Sequence, residues 1–176
     1  MDRLEIIGEN WSGHWRFTRT ACRGVVLRGD AILLSCETRI GRYMIPGGGL
    51  EPGEDEATCC AREVAEETGL LVRPGACRLE IDEYYEDWKY VSRYFLCEVE
   101  GETERRLTGQ ETEAGLEPRW VPLRDAMERF SRHRDWAATD EPRRGIYQRE
   151  HAALRRLLKG KRGACDAAAC DDDFRL

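Results

Sequence analysis

The chain has 176 residues, 41% of them hydrophobic and 35% charged, with a net charge of −6 at pH 7. That length predicts one domain with a buried core, and no run approaches the ~18 consecutive apolar residues that a membrane helix needs. The opening MDRLEIIGENWSGHW is charged from its start and lacks an apolar core of the secretory kind, so a cytoplasmic location is expected. Residues 1–17 are expected to form an N-terminal extension, a strand or flap carrying Trp11, Trp15 and Phe17 over the domain. The aliphatic runs Arg23 to Leu27 and Ala31 to Ser35 flank Arg28-Gly29-Asp30 and predict a hairpin.

Tyr43 to Pro46 leads into Gly47-Gly48-Gly49, where glycine permits close approach of the backbone to a ligand or another strand. A helix is predicted from Asp55 as N-cap to Thr68, with Gly69 as its stop. Leu79 to Ile81, Tyr90 to Ser92 and Tyr94 to Val99 predict strands, with Glu86-Asp87 near a turn. Gly101 to Gly115 is polar and reads as a loop, Arg119 to Pro122 as a strand and Leu123 to Phe130 as a helix. Apolar spacing over Ile146 to Leu158 predicts a further helix, assigned to 141–162 and packed on the domain. The tail from Gly163 is expected to be flexible. Strands on both sides of a central helix place the chain in the α/β class.

Eight cysteines are present without a Cys-x-x-Cys pair, so buried free thiols are expected in place of disulfides or zinc ligands. The charge is more informative by position. Between Glu51 and Leu70 there are seven acids and one base, a local charge of −6, while the remainder of the chain holds 27 of each sign. Within the predicted helix, Glu63, Glu66 and Glu67 fall on one arc at i, i+3 and i+4. Ala57, Cys60, Ala61, Val64 and Thr68 form the neighbouring, core-facing stripe. Three stacked carboxylates repel one another, and only Arg62 stands nearby to relieve them. Hard divalent cations with oxygen ligands fit such a face.

Gly48, five residues, Glu54, seven residues and then Arg62-Glu63-Val64-Ala65-Glu66-Glu67-Thr68-Gly69-Leu70 together resemble the Nudix box at every fixed position. The resemblance implies a Nudix-type α/β/α sandwich, a mixed β-sheet between helices, over residues 18–140, and Arg119 to Leu123 is also similar to the family. It implies Mg2+ or Mn2+ held by Glu63 and Glu67, with Glu66 as a ligand or a water-orienting catalytic group. Glu54 is expected to pair with Arg62 and shape the loop, and Gly48 and Gly69 to serve the motif's backbone. A further catalytic carboxylate from a loop outside the box would be Glu111 or Glu113, and the sequence does not choose between them.

For the organic part of a substrate, Tyr84, Tyr85 and Trp88 are candidates for stacking, against the plainer reading that strand aromatics pack in the core. Arg16, Arg19, Arg23 and Arg42 are candidate phosphate contacts, each also readable as surface charge. His14, His133 and His151 have no partner at a telling spacing and receive no role. Residues Arg119 to Arg162 hold thirteen bases against six acids, but without the aromatic interleaving of RNA-binding surfaces. No nucleic-acid or membrane partner is therefore expected, although an RNA 5′ end stays open as a substrate, as does a homodimer. The expected function is hydrolysis of a nucleoside diphosphate linked to another moiety, giving a monophosphate and a second phosphorylated product. The alternative is a non-catalytic nucleotide-binding or regulatory Nudix module, which a complete set of box glutamates disfavours.

Overall fold

A computed structural model describes residues 1–159. The expected tail from Gly163 and the end of the 141–162 segment lie outside the described residues. The strands are β1 (Asp2–Ile7), β2 (Phe17–Arg28), β3 (Ala31–Glu37), β4 (Arg42–Met44), β5 (Gly47–Gly49), β6 (Leu70–Tyr85), β7 (Trp88–Glu102) and β8 (Leu116–Pro122). The helices are α1 (Glu56–Thr68), α2 (Gly109–Ala114), α3 (Leu123–Ser131) and α4 (Glu141–Leu157). The sheet runs β1-β6-β7-β2-β3-β4, with β5 on β2 and β8 on β3. β1 joins β6 and β2 joins β7 in parallel, and the other pairs are antiparallel, so the sheet is mixed.

Alternation along β2 and β3 divides the core in two. Val25, Ile32 and Leu34 face Ala126 and Phe130 of α3 and Tyr147, Ala153 and Leu154 of α4. Cys22, Val26 and Leu33 face Cys59, Cys60 and Val64 of α1 on the other side. Helices on both faces of one sheet make the expected α/β/α sandwich. Cys22, Cys36, Cys59 and Cys60 are buried free thiols, apolar filling for the helix-on-sheet contact.

Gly24 sets how closely α1 approaches. A Cβ there would overlap Val64 Cγ2 and stand 3.2 Å from Cys97 Sγ, so the helix must lift off the sheet to admit it. Gly24→Ala is expected to destabilise the fold by about 1–3 kcal/mol, the usual scale of overpacking. Denaturant titration measures this, and an unchanged midpoint would show that the interface has slack.

The structure adds detail near both ends of the described residues and differs from the sequence expectation between them. Residues 2–7 are a regular edge strand, tied in parallel to Leu79–Tyr84. The segment read as a loop over 101–115 contains α2, closed by a capping box in which Thr108 and Glu111 satisfy each other's backbone. The last helix begins at Glu141 on the N-cap Asp140, with a proline in its first turn.

Candidate active site

The helix that carries the acidic ridge is fixed at both ends. Asp55 caps it by accepting hydrogen bonds from the amides of Ala57 and Thr58 at 3.1 and 3.0 Å. Gly69 closes it in the left-handed region at φ 75°, with its amide donating to the Ala65 carbonyl. A Cβ at Gly69 would stand 2.9 Å from the Thr103 carbonyl oxygen, so this stop needs glycine for its space as well as its torsion.

The three ridge glutamates divide by depth. Glu67 is only 5% exposed. It accepts a short hydrogen bond from the Ser35 hydroxyl of β3 and a long one, 3.4 Å, from the Gly47 amide. Burial pushes its carboxyl up to about 8, and the neighbouring Glu63 and Glu111 carboxylates push the same way. Glu63 is half-buried and is likewise raised, first by burial and then by Glu66 and Glu111. Glu66 remains at the rim, with its side chain 34% exposed. The core-facing stripe therefore differs from its expected set. Cys59 and Glu67 are in it, while Ala57 and Ala61 are only half-buried.

Arg62 is the one cation on the ridge. Its Nε and Nη2 grip Glu54 at 2.8 and 2.9 Å, and its Nη1 reaches Glu63 at 2.8 Å and Glu66 at 3.1 Å. Nη2 also donates to the Gly49 carbonyl at 3.1 Å. Arg62 thus joins the loop to the helix, and its guanidinium holds the Glu54 carboxyl below the usual carboxylate range. Gly48 faces Glu63. A Cβ on it would lie 2.6 Å from the Glu63 Cδ. Of the motif residues, Gly48, Glu54, Arg62, Glu63 and Glu66 form one connected group, while Glu67 is tied to Ser35 and Gly47.

The two loop acids separate. Glu111 sits half-buried in α2, accepts from the Thr108 amide at 2.7 Å, and is felt electrostatically at both Glu63 and Glu67. Glu113 is exposed.

The expected aromatic pair also separates, because cross-strand partners share a face. Tyr84 stands opposite Lys89, and Tyr85 opposite Trp88. Tyr84 is buried on the α1 side beneath Trp11 and Trp15, with ring centroids at 5.2 and 5.4 Å, and donates to Glu5 at 3.4 Å. Trp88 lies on the α4 side, stacked on Tyr90 at 5.6 Å and with Phe17 tilted against it at 5.0 Å. That side of β2 also carries Arg19 and Arg23. Arg42 is turned away into an ion pair with Glu37, its Nη2 at 2.9 Å from Oε1, and reaches Asp140 at 4.0 Å. The structure therefore brings none of Tyr84, Arg42 and Trp88 against the acidic ridge, Trp88 lying on the face of the sheet away from α1. Arg16 is likewise occupied near Asp87 at 3.8 Å.

A family model for the NUDIX domain matches residues 18–142. A MutT-like protein of Streptomyces ambofaciens is 36% identical over 109 residues, which are 58% of this chain and 66% of the relative. The match thus falls just short of two thirds of that relative's length. Among solved structures, a NUDIX hydrolase from Nitrosomonas europaea is similar at 25% identity and a TM-score of 0.50, covering 61% of this chain and 74% of that one. The E. coli ORF135 protein, at 15% identity and a TM-score of 0.52, shares the fold over 84% of this chain and 95% of its own. The domain match takes in the whole box and, but for Phe17 of β2, every strand from β2 to β8, and on that ground the chain belongs to the Nudix family.

Proposed function

We propose that the protein is a Mg2+- or Mn2+-dependent pyrophosphohydrolase. It would cleave the diphosphate of a nucleoside diphosphate linked to another moiety, with water, to a monophosphate and a second phosphorylated product. The observation that carries this reading is Glu67, a carboxyl buried under the glycine turn beside Glu63, with Glu66 and Glu111 at the rim. A buried acid among other acids is costly unless a cation compensates it.

The donor set fits a hard divalent ion, since every candidate ligand is a carboxylate oxygen. Among the described residues no three acidic, histidine or cysteine groups stand ready at ligand spacing. Arg62 bridges Glu63 and Glu66, and its bonds to them would yield to the ion. Glu63 and Glu67 would hold the metal, with Glu66 as a third ligand or as the group that orients the water. When bound, the ion polarises phosphoryl oxygens, lowers the pKa of the attacking water and offsets charge on the leaving phosphate. The chain itself mainly positions and screens. Glu111 is the assisting loop carboxylate in preference to Glu113, because its charge is felt at Glu63 and Glu67. Trp88, with Phe17 and Tyr90, offers a flat surface for the organic group on the face that carries Arg19 and Arg23. Tyr84 serves packing and Arg42 serves the Glu37 pair.

Purified protein is expected to release monophosphate from at least one of ADP-ribose, nucleotide sugars, dinucleoside polyphosphates, nucleoside triphosphates or capped RNA, with Mg2+ or Mn2+ and not in chelator. No turnover across that panel with either ion would overturn the enzyme reading.

A further inference from the structure

Between α4 and the sheet lie four charges whose contacts with one another the chemistry above does not use: the buried Glu83 of β6 and Arg149 and Glu150 of α4, and the nearly buried Arg23 of β2. Glu150 is the hub, with no exposure. Its Oε1 takes Arg149 Nη2 at 2.9 Å and faces Arg23 Nη1 at 3.9 Å, while its Oε2 accepts from the Tyr94 hydroxyl at 3.0 Å. Arg149 Nη1 reaches Glu83 at 3.3 Å. The charges balance in pairs, yet burying three of them and nearly burying the fourth is poorly explained by stability. Apolar side chains of equal volume often do as well or better.

The far side of Arg23 suggests what the cluster is for. Arg23 Nη1 donates to the Ile45 carbonyl at 3.2 Å, and its Nε reaches the Ser92 hydroxyl at 3.5 Å. Gly47 lies directly on Arg23, since a Cβ there would be 2.7 Å from the Arg23 Cα. The Gly47 amide is the one that faces Glu67. A continuous set of contacts thus runs from Glu150 through Arg23 and the Ile45–Gly47 turn to the deepest carboxylate of the ridge. Residues 143–157 of α4 lie beyond the stretch that matches the family, so this brace comes from outside the matched domain.

The geometry points to Arg23, clamped from α4 by Glu150, as a positioning residue for the Ile45–Gly47 turn, which makes the C-terminal helix part of the metal-holding apparatus. This rests on the metal reading of the acidic ridge, but its test needs no substrate. Glu150→Gln keeps the side chain's size and its acceptor for Tyr94, and removes the charge that clamps Arg23. In the full-length, metal-free protein, hydrogen exchange over residues 45–49 is expected to accelerate. Calorimetric Mg2+ affinity is expected to fall about tenfold, the scale of changes just outside a metal's ligands. Glu141→Gln, whose carboxylate pairs with Arg144 in the first turn of the same helix, should behave as wild type in both. If Glu150→Gln does not fold, Arg23→Lys gives the same two readings, because lysine keeps the charge but cannot span Ile45, Ser92 and Glu150 together.

A folded variant with a lower Tm but unaltered exchange at 45–49 and unaltered Mg2+ affinity would overturn the proposal and leave the cluster a purely structural one. Absence of turnover in the wild type would instead count against the hydrolase reading alone.

Discussion

Replacing Glu67 by glutamine is expected to abolish metal-dependent turnover and, in chelator at pH 7, to raise the melting temperature. The two effects have one cause. Glu67 ionises at about 8 in the fold, against 4.5 for an ordinary glutamate. Between those values the unfolded chain releases a proton that the folded chain keeps, so this group's contribution to stability falls as pH rises from about 4.5 to about 8. At pH 7 the penalty is on the order of 3 kcal/mol. Glutamine fills the same space, still accepts from Ser35, and carries no such penalty. Part of the gain is offset where the glutamine oxygen accepts from Ser35, because its N–H2 group is then set against the Gly47 amide. A rise of several degrees remains, given roughly 2–4 °C per kcal/mol for a domain of this size. It should shrink as the pH is lowered toward 4.5. Added Mg2+ should reverse the order, since only the wild type gains stability by binding it. Activity should fall by more than the roughly tenfold to hundredfold loss seen when groups outside the ligand shell are changed. A Glu67→Gln protein that turns over normally would sink the ligand assignment. One that melts no higher than wild type at pH 7 in chelator would sink the argument from burial.

How far these features could be read from the chain alone depends on the range of the interactions behind them. The central helix was legible to the residue because Asp55 and Gly69 are local signals that act within one turn. The charge imbalance located the ridge for the same reason. The depth of Glu67 was not legible. Its spacing from Glu63 places both on one arc of the helix, and only the docking of α1 on the sheet, where Ser35 of β3 meets it, buries one and leaves the other half-open. Other differences had signals in the sequence. With a turn at Glu86-Asp87, strand parity pairs Tyr85 with Trp88 and Tyr84 with Lys89, so the aromatics were already divided between two faces. Thr108-x-x-Glu111 followed by Gly115 is a capping box with a helix stop. The Arg23–Glu150 cluster had no such signal. It joins residues 127 positions apart in the numbering through a parallel β2–β7 register and the docking of α4, neither of which leaves a local trace.

The second large effect is expected at Gly48, and it separates catalysis from folding. A Cβ at Gly48 would lie 2.6 Å from the Glu63 Cδ and crowd both of its carboxylate oxygens. The obstacle is the far end of a flexible side chain, so relief comes from rotating Glu63 away and leaves α1 in place. Stability should therefore change little in Gly48→Ala, in contrast to Gly24→Ala, where the obstacle is the buried Val64 at the helix-on-sheet contact. Turning Glu63 out takes its carboxylate from Glu67 and from the bond to Arg62 Nη1. The remaining acids then keep the arginine and lose one ligand of the ion. Mg2+ affinity and turnover should each fall at least about tenfold, while the unfolding free energy in chelator stays within roughly 0.5 kcal/mol of wild type. Gly48→Ala with normal Mg2+ affinity would show that Glu63 does not hold the ion from the side facing the glycine turn. A loss of stability matching that of Gly24→Ala would show instead that β5 cannot admit a side chain at all. Only the pattern of intact fold and weakened metal affinity would place the need for glycine in the path of the carboxylate proposed to bind the metal.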